Sequence, residues 1–187
     1  MSYAVDQERM EEESMEQEHV GLVTFKGKPL TLLGNRVKVG DPAPPFTALR
    51  RDLTLFSSQE LAGKVVVLNA VPSLDTPVCA TQARTFNQRA SQLGEGARVL
   101  VISMDLPFAQ NRFCSTEGIA NLEVLSDHRD ASFGLAYGLL IKELRLLVRA
   151  VLVLDRHGKI AYQELVKEVA QEPDYEAALA AAGAALA

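Results

Sequence analysis

A cysteine, a threonine three residues before it and two prolines share the run Pro72-Ser73-Leu74-Asp75-Thr76-Pro77-Val78-Cys79. The run follows a strongly apolar stretch, residues 65–71, and precedes a segment of helical periodicity, residues 80–93. Cys79 is thus placed at a strand-to-helix junction, in the first turn of the helix. The unsatisfied N–H groups and the dipole there favour thiolate over thiol, and thiolate is the nucleophilic form of sulfur. A buried structural cysteine is the plainer reading of a lone Cys in an apolar segment. The Thr76 hydroxyl, about one turn before the sulfur, is suited to bond the thiolate or an oxygen of a bound substrate. It is equally suited to cap the helix.

Two cations are candidates to assist Cys79. Arg149 opens the apolar run 150–154. A charge entering a central strand is costly to bury unless paired, and the rigid, always-charged guanidinium suits contact with a thiolate. The alternative is an exposed residue at a strand end. Arg84, a little more than one turn beyond Cys79, is the second candidate. A second thiol, Cys114, lies in Asn111-Arg112-Phe113-Cys114, on a different helix. A disulfide needs Cα atoms within about 7 Å, and neighbouring helices rarely bring two given residues that close. One reading has the thiols apart when reduced and joined by local unwinding, after oxidation of Cys79 to sulfenic acid. The other makes Cys114 a buried spectator.

The elements that must position these groups follow from pattern. Residues 20–25 and 30–33 flank Gly27-Lys28-Pro29 and read as a β-hairpin. The Pro-rich connector 40–45 fits neither helix nor central strand and should run extended over the surface. Residues 46–49 and 54–56 are short strands, and Ser57 caps a single helical turn. Beyond Lys64 strands and helices alternate: strands at 65–71, 99–104 and 124–126, helices at 80–93, 107–114 and 131–137. Strands 148–155 and 159–166 meet at the turn Arg156-His157-Gly158 and must be antiparallel. An Ala-rich helix, 174–187, follows Pro173. Buried strands between helices predict an α/β mixed sheet flanked by helices. Residues 1–18 read as an acidic flexible arm and residues 19–187 as one domain.

Composition narrows the function. Of 187 residues 48% are apolar, which makes a globular chain, and the net charge of −5 argues against a nucleic-acid binder. No apolar run approaches the roughly 20 residues that span a bilayer. The N-terminus lacks a basic start and an apolar stretch, so no secretory signal is expected and the cytoplasm is. In a reducing compartment a permanent disulfide is not expected, and two cysteines there are more often redox-active, metal-bound or simply free thiols. His19, His128 and His157 have no close spacing to either Cys, so no metal is expected. No Gly-rich phosphate loop follows a strand, which disfavours a dinucleotide fold.

The pattern Pro72-x-x-x-Thr76-x-x-Cys79 resembles the active-site motif of peroxiredoxins. With Asp105-Leu106-Pro107-Phe108-Ala109-Gln110-Asn111-Arg112-Phe113-Cys114 downstream it is similar to the bacterial thiol peroxidase branch. Ala136-Tyr137-Gly138, residues 149–155 and Glu172-Pro173-Asp174-Tyr175 extend the likeness from about Val20 to the C-terminus. The resemblance implies a thioredoxin-like fold with an N-terminal β-hairpin. It implies that Cys79 is the peroxidatic and Cys114 the resolving cysteine, that Thr76 and Arg149 hold thiolate and peroxide, and that Pro72 shields the pocket. Hydrogen peroxide or alkyl hydroperoxide is the implied substrate, thioredoxin the reductant and a homodimer the usual assembly, with no metal, haem or flavin. The chain departs from that pattern in its acidic arm and in residues 138–148, which are shorter than in the family and lack its Gly-Pro loop. A thioredoxin-like disulfide oxidoreductase would need C-x-x-C, where this chain has Thr76-Pro77-Val78-Cys79. A non-enzymatic redox sensor would use the same two thiols without turnover.

Overall fold

The structure, a computed structural model, describes residues 17–187, so nearly all of the acidic arm lies outside the described residues. Strand β1 (Glu18–Phe25) pairs with β2 (Lys28–Leu33) as the expected hairpin. Its turn is Lys26-Gly27, with φ of 50° and 75°, and not Gly27-Lys28-Pro29. Two consecutive left-handed residues make the tight turn whose twist matches that of the strands, so Lys28 and Pro29 already belong to β2.

The central sheet has seven strands. β3 (Thr47–Leu49) and β4 (Leu55–Ser57) form one edge, and β10 (Ala150–Leu154) and β11 (Ile160–Leu165) the other. Between them lie β5 (Val65–Ala70), β6 (Ala97–Ser103) and β7 (Glu123–Ser126), in the order β11-β10-β5-β6-β7-β3-β4. β5, β6 and β7 are parallel, while β10 is antiparallel to β5. The sheet is therefore mixed, as the tight turn before β11 requires. Every residue of β5 is buried because both faces are covered, which explains a run that is apolar except for Asn69. The connector at 40–45 runs extended beside β11, bonded through Gly40 and Ala43 to the carbonyls of Ile160 and Gly158.

Val65, Val67, Val99, Val151 and Val153 face helices α1 (Pro77–Ala90) and α4 (Tyr175–Leu186). Helix α2 (Pro107–Glu117) packs on the same side, over Val101 and Val124. Val66, Leu68, Leu100, Ile102 and Leu152 face the opposite way, toward the short α3 (Ser132–Ala136) and a second sheet. That second sheet joins the N-terminal hairpin to another hairpin, β8 (Leu140–Ile141) and β9 (Leu146–Leu147). Residues 138–148 supply the β8–β9 hairpin, and their apolar side chains fill the core between the two sheets. Proline opens both α1 and α2, where its missing N–H costs nothing. Gly118, with φ of 64°, ends α2. Among the described residues no helix is long and apolar enough to cross a membrane.

Candidate active site

Cys79 is the third residue of α1, behind Thr76 at the N-cap and Pro77 and Val78 in the first turn. A loop, residues 71–76, separates the end of β5 from the helix, which starts at Pro77, whose fixed φ suits its first position. Pro72 is buried, as is Cys79, whose exposure is 0%. Arg149 immediately precedes β10 and is 2% exposed. Because β10 lies beside β5, the residue at its start reaches the helix that leaves the end of β5.

The Arg149 guanidinium is held in three directions. Nε donates to the Val169 carbonyl at 3.1 Å, Nη1 to Gln82 Oε1 at 2.6 Å, and Nη2 to Cys79 Sγ at 3.3 Å. None of these partners is a carboxylate. Gln82 is itself fully buried, and its Nε2 faces Asn69 Oδ1 at 3.5 Å, while Asn69 donates to the Leu100 carbonyl at 3.1 Å. The chain of amides thus runs from the centre of the sheet to the sulfur.

The loop before the helix is tied down by Asp105. Its Oδ1 accepts from the Ser73 hydroxyl at 2.7 Å. Its Oδ2 accepts from the Leu74 N–H and the Ser103 hydroxyl, both at 2.8 Å. One carboxylate therefore joins the approach to α1 with the end of β6 and the approach to α2. Thr76 does not cap through its side chain, as Ser57 and Asp174 do at their helices. Its hydroxyl donates instead to the Ser73 carbonyl at 3.0 Å, so the capping role is not met.

Cys114 is 3% exposed in the penultimate turn of α2. It shares one apolar cluster with Cys79, together with Val71, Leu74, Ala83, Val101 and Phe113. Both thiols are free. Burial pushes the Cys114 thiol up, opposed by the positive charge of Arg51. Arg84 is a correction to the sequence reading: it pairs with Glu117 at 2.7 Å and bonds Thr81, away from the sulfur. Five residues advance about 140° round a helix, whereas three bring a side chain back to the same face. Gln82, three residues after Cys79, was the residue that helical spacing pointed to. Asp105 and the Val169 carbonyl had no such local signal. A cleft of ≈ 780 Å³ lined by Arg50, Arg51, Arg98 and Glu123 includes neither cysteine.

A mixed α/β sheet that delivers a buried thiol to a helix N-terminus and an arginine to that thiol defines a thiol-redox enzyme of the redoxin class. The Redoxin family profile matches residues 38–179. The chain is 54% identical over 164 residues to the thiol peroxidase of Halalkalibacterium halodurans, covering 88% of this chain and 98% of that one. It is 52% identical over 162 residues to the thiol peroxidase of Bacillus subtilis, covering 87% and 96%. The crystal structure of a peroxiredoxin-like protein from Aquifex aeolicus is similar with a TM-score of 0.81 at 40% identity, over 89% of this chain and 99% of that one. The chain belongs to the bacterial thiol peroxidases of the Redoxin family.

Proposed function

We propose that the chain reduces hydrogen peroxide and organic hydroperoxides by a two-cysteine cycle. Cys79, as thiolate, attacks one oxygen of the O–O bond. That bond breaks, the other oxygen leaves as hydroxide or alkoxide and takes up a proton, and Cys79 becomes a sulfenic acid. The Cys114 thiol then attacks the Cys79 sulfur, water leaves, and an intramolecular disulfide forms. A dithiol of thioredoxin reduces that disulfide and is itself oxidised. Thioredoxin supplies the electrons in the cytoplasm, with no metal, haem or flavin.

The observation that carries this reading is the Arg149 contact with Cys79 Sγ, 3.3 Å long and fully buried. A buried guanidinium with no carboxylate partner calls for an anion, and a thiolate answers it. The same cation stabilises charge developing on the leaving oxygen, a role worth a few kcal/mol per donor. The hydroxyl of Thr76, exposed at the helix mouth, turns from the Ser73 carbonyl to the peroxide in this mechanism, and Pro72 excludes water from the sulfur. Both sulfurs are buried and unlinked, and in this mechanism the first turn of α1 opens to let them join. Lack of a side-chain cap makes that turn cheaper to open by about 1 kcal/mol. The exposed Leu106 and Phe108, beside the Asp105 junction, suit the interface of a homodimer.

The test is steady-state peroxide consumption with thioredoxin, thioredoxin reductase and NADPH. Cys79→Ser abolishes turnover. Cys114→Ser consumes one equivalent of peroxide per chain and then stalls. Full thioredoxin-coupled cycling by Cys114→Ser would remove the resolving role, and wild-type oxidation without turnover would leave a sensor.

A further inference from the structure

We propose that Glu168 is a positioning residue for the peroxide step, which it serves by locking the N-terminal hairpin onto the loop whose carbonyl aims Arg149. The proposal rests on the peroxidase reading above and adds the hairpin to its machinery.

Glu168 lies between β11 and α4, far from either cysteine in sequence. Its carboxylate collects four donors. Oε2 accepts from the Thr24 hydroxyl at 2.8 Å and from the Gly27 N–H at 3.2 Å. Oε1 accepts from the Lys26 N–H at 3.0 Å and the Ala170 N–H at 3.4 Å. Lys26 and Gly27 are the left-handed turn of the hairpin, and consecutive N–H groups in such a turn form a concavity that binds anions. Here the chain's own carboxylate fills it. The donors hold the Glu168 carboxyl below its ordinary range, the Thr24 hydroxyl first among them. The backbone continues the clamp: Thr24 donates to the Lys167 carbonyl at 2.7 Å, and the Val169 N–H donates to the Thr24 carbonyl at 2.9 Å.

The carbonyl of Val169, whose N–H belongs to that clamp, accepts from Arg149 Nε at 3.1 Å. A guanidinium is flat and rigid, so two fixed contacts set where its remaining N–H points. Gln82 provides one contact and Val169 the other, and the direction left over meets Cys79 Sγ. If the loop moves, the group pivots about Gln82 and Nη2 leaves the sulfur. Displacements of about 1 Å at a reacting centre cost up to roughly a hundredfold in rate. A clamp that merely covered the core would cost stability and leave the contribution of Arg149 intact.

A double-mutant cycle separates the two roles. The pre-reduced full-length chain is mixed with hydrogen peroxide and quenched by alkylation, and loss of the Cys79 thiol is followed by mass spectrometry; the chain has no Trp for a fluorescence readout. Glu168→Gln is expected to slow this step about tenfold or more. In the Arg149→Ala background, whose slow residual reaction remains measurable over minutes, the same change is expected to cost no more than about twofold. Thr24→Val, which removes one donor and keeps a strand-forming side chain, should give a smaller loss with the same masking; it carries the test if Glu168→Gln does not fold. Equal losses in both backgrounds, or no loss with Arg149 present, would overturn the proposal and leave the peroxidase reading standing. A wild-type chain inert to peroxide would overturn both.

Discussion

Arg149 is the residue on which the site turns, because a fully buried cation must be satisfied by the atoms around it. Its three partners are an amide oxygen, a backbone carbonyl and a sulfur. Removing the amide tests that account at the residue scale. Gln82→Leu leaves Nη1 buried without an acceptor, a loss of about 2 kcal/mol or more for a charged donor. The expected outcome is a lower urea midpoint together with slower oxidation of Cys79, measured on the same preparation. Loss of stability with an unchanged peroxide rate would show that Val169 alone aims the guanidinium. Gln82 was legible in principle, since three residues separate it from Cys79 on one helix face. Arg84 was the wrong choice because five residues carry a side chain round to another face, where Glu117 holds it.

Among the elements, the short helix α3 depends on one buried acid. Asp127, 2% exposed, accepts from the N–H groups of Phe133 at 3.0 Å and Gly134 at 2.8 Å. Burial nevertheless pushes its carboxyl up to about 7. In the unfolded chain the same group titrates near 4, as an ordinary Asp does. Between those values the native state binds one more proton, so stability contributed below pH ~4 is lost as pH rises through about 7. Asp127→Asn cannot titrate. The unfolding free energy of wild type minus that of Asp127→Asn should therefore fall by a few kcal/mol, roughly, from pH ~4 to ~7. The subtraction cancels the exposed acids that both proteins share. A difference independent of pH would mean that the N–H donors outweigh burial. Most element boundaries could be read locally: Pro at the start of α1 and α2, Gly118 at the end of α2, Asp174 capping α4. The β8–β9 hairpin could not, because strands of two residues have no periodicity and exist only through pairing, β8 with β2 and β9 with β8.

At the scale of the whole molecule, two apolar side chains stand exposed beside the junction that Asp105 makes. Leu106 is 53% and Phe108 67% exposed. In the homodimer proposed above they lie within the interface. Phe108→Asp is then expected to shift the sedimentation coefficient from dimer to monomer at micromolar concentration. An unchanged coefficient would place the interface elsewhere.

The two sulfurs, the prolines that start their helices and the alternation of strand and helix were set by the sequence alone. Those features act over a few residues through fixed φ angles, missing N–H groups and apolar periodicity. Only the tertiary structure decided what meets what. Arg149 and Cys79 are 70 residues apart, and Thr24 and Glu168 are 144 apart. Contacts across such distances exist because β10 inserts beside β5 and the hairpin returns to the loop before α4. No local spacing in the chain encodes that placement.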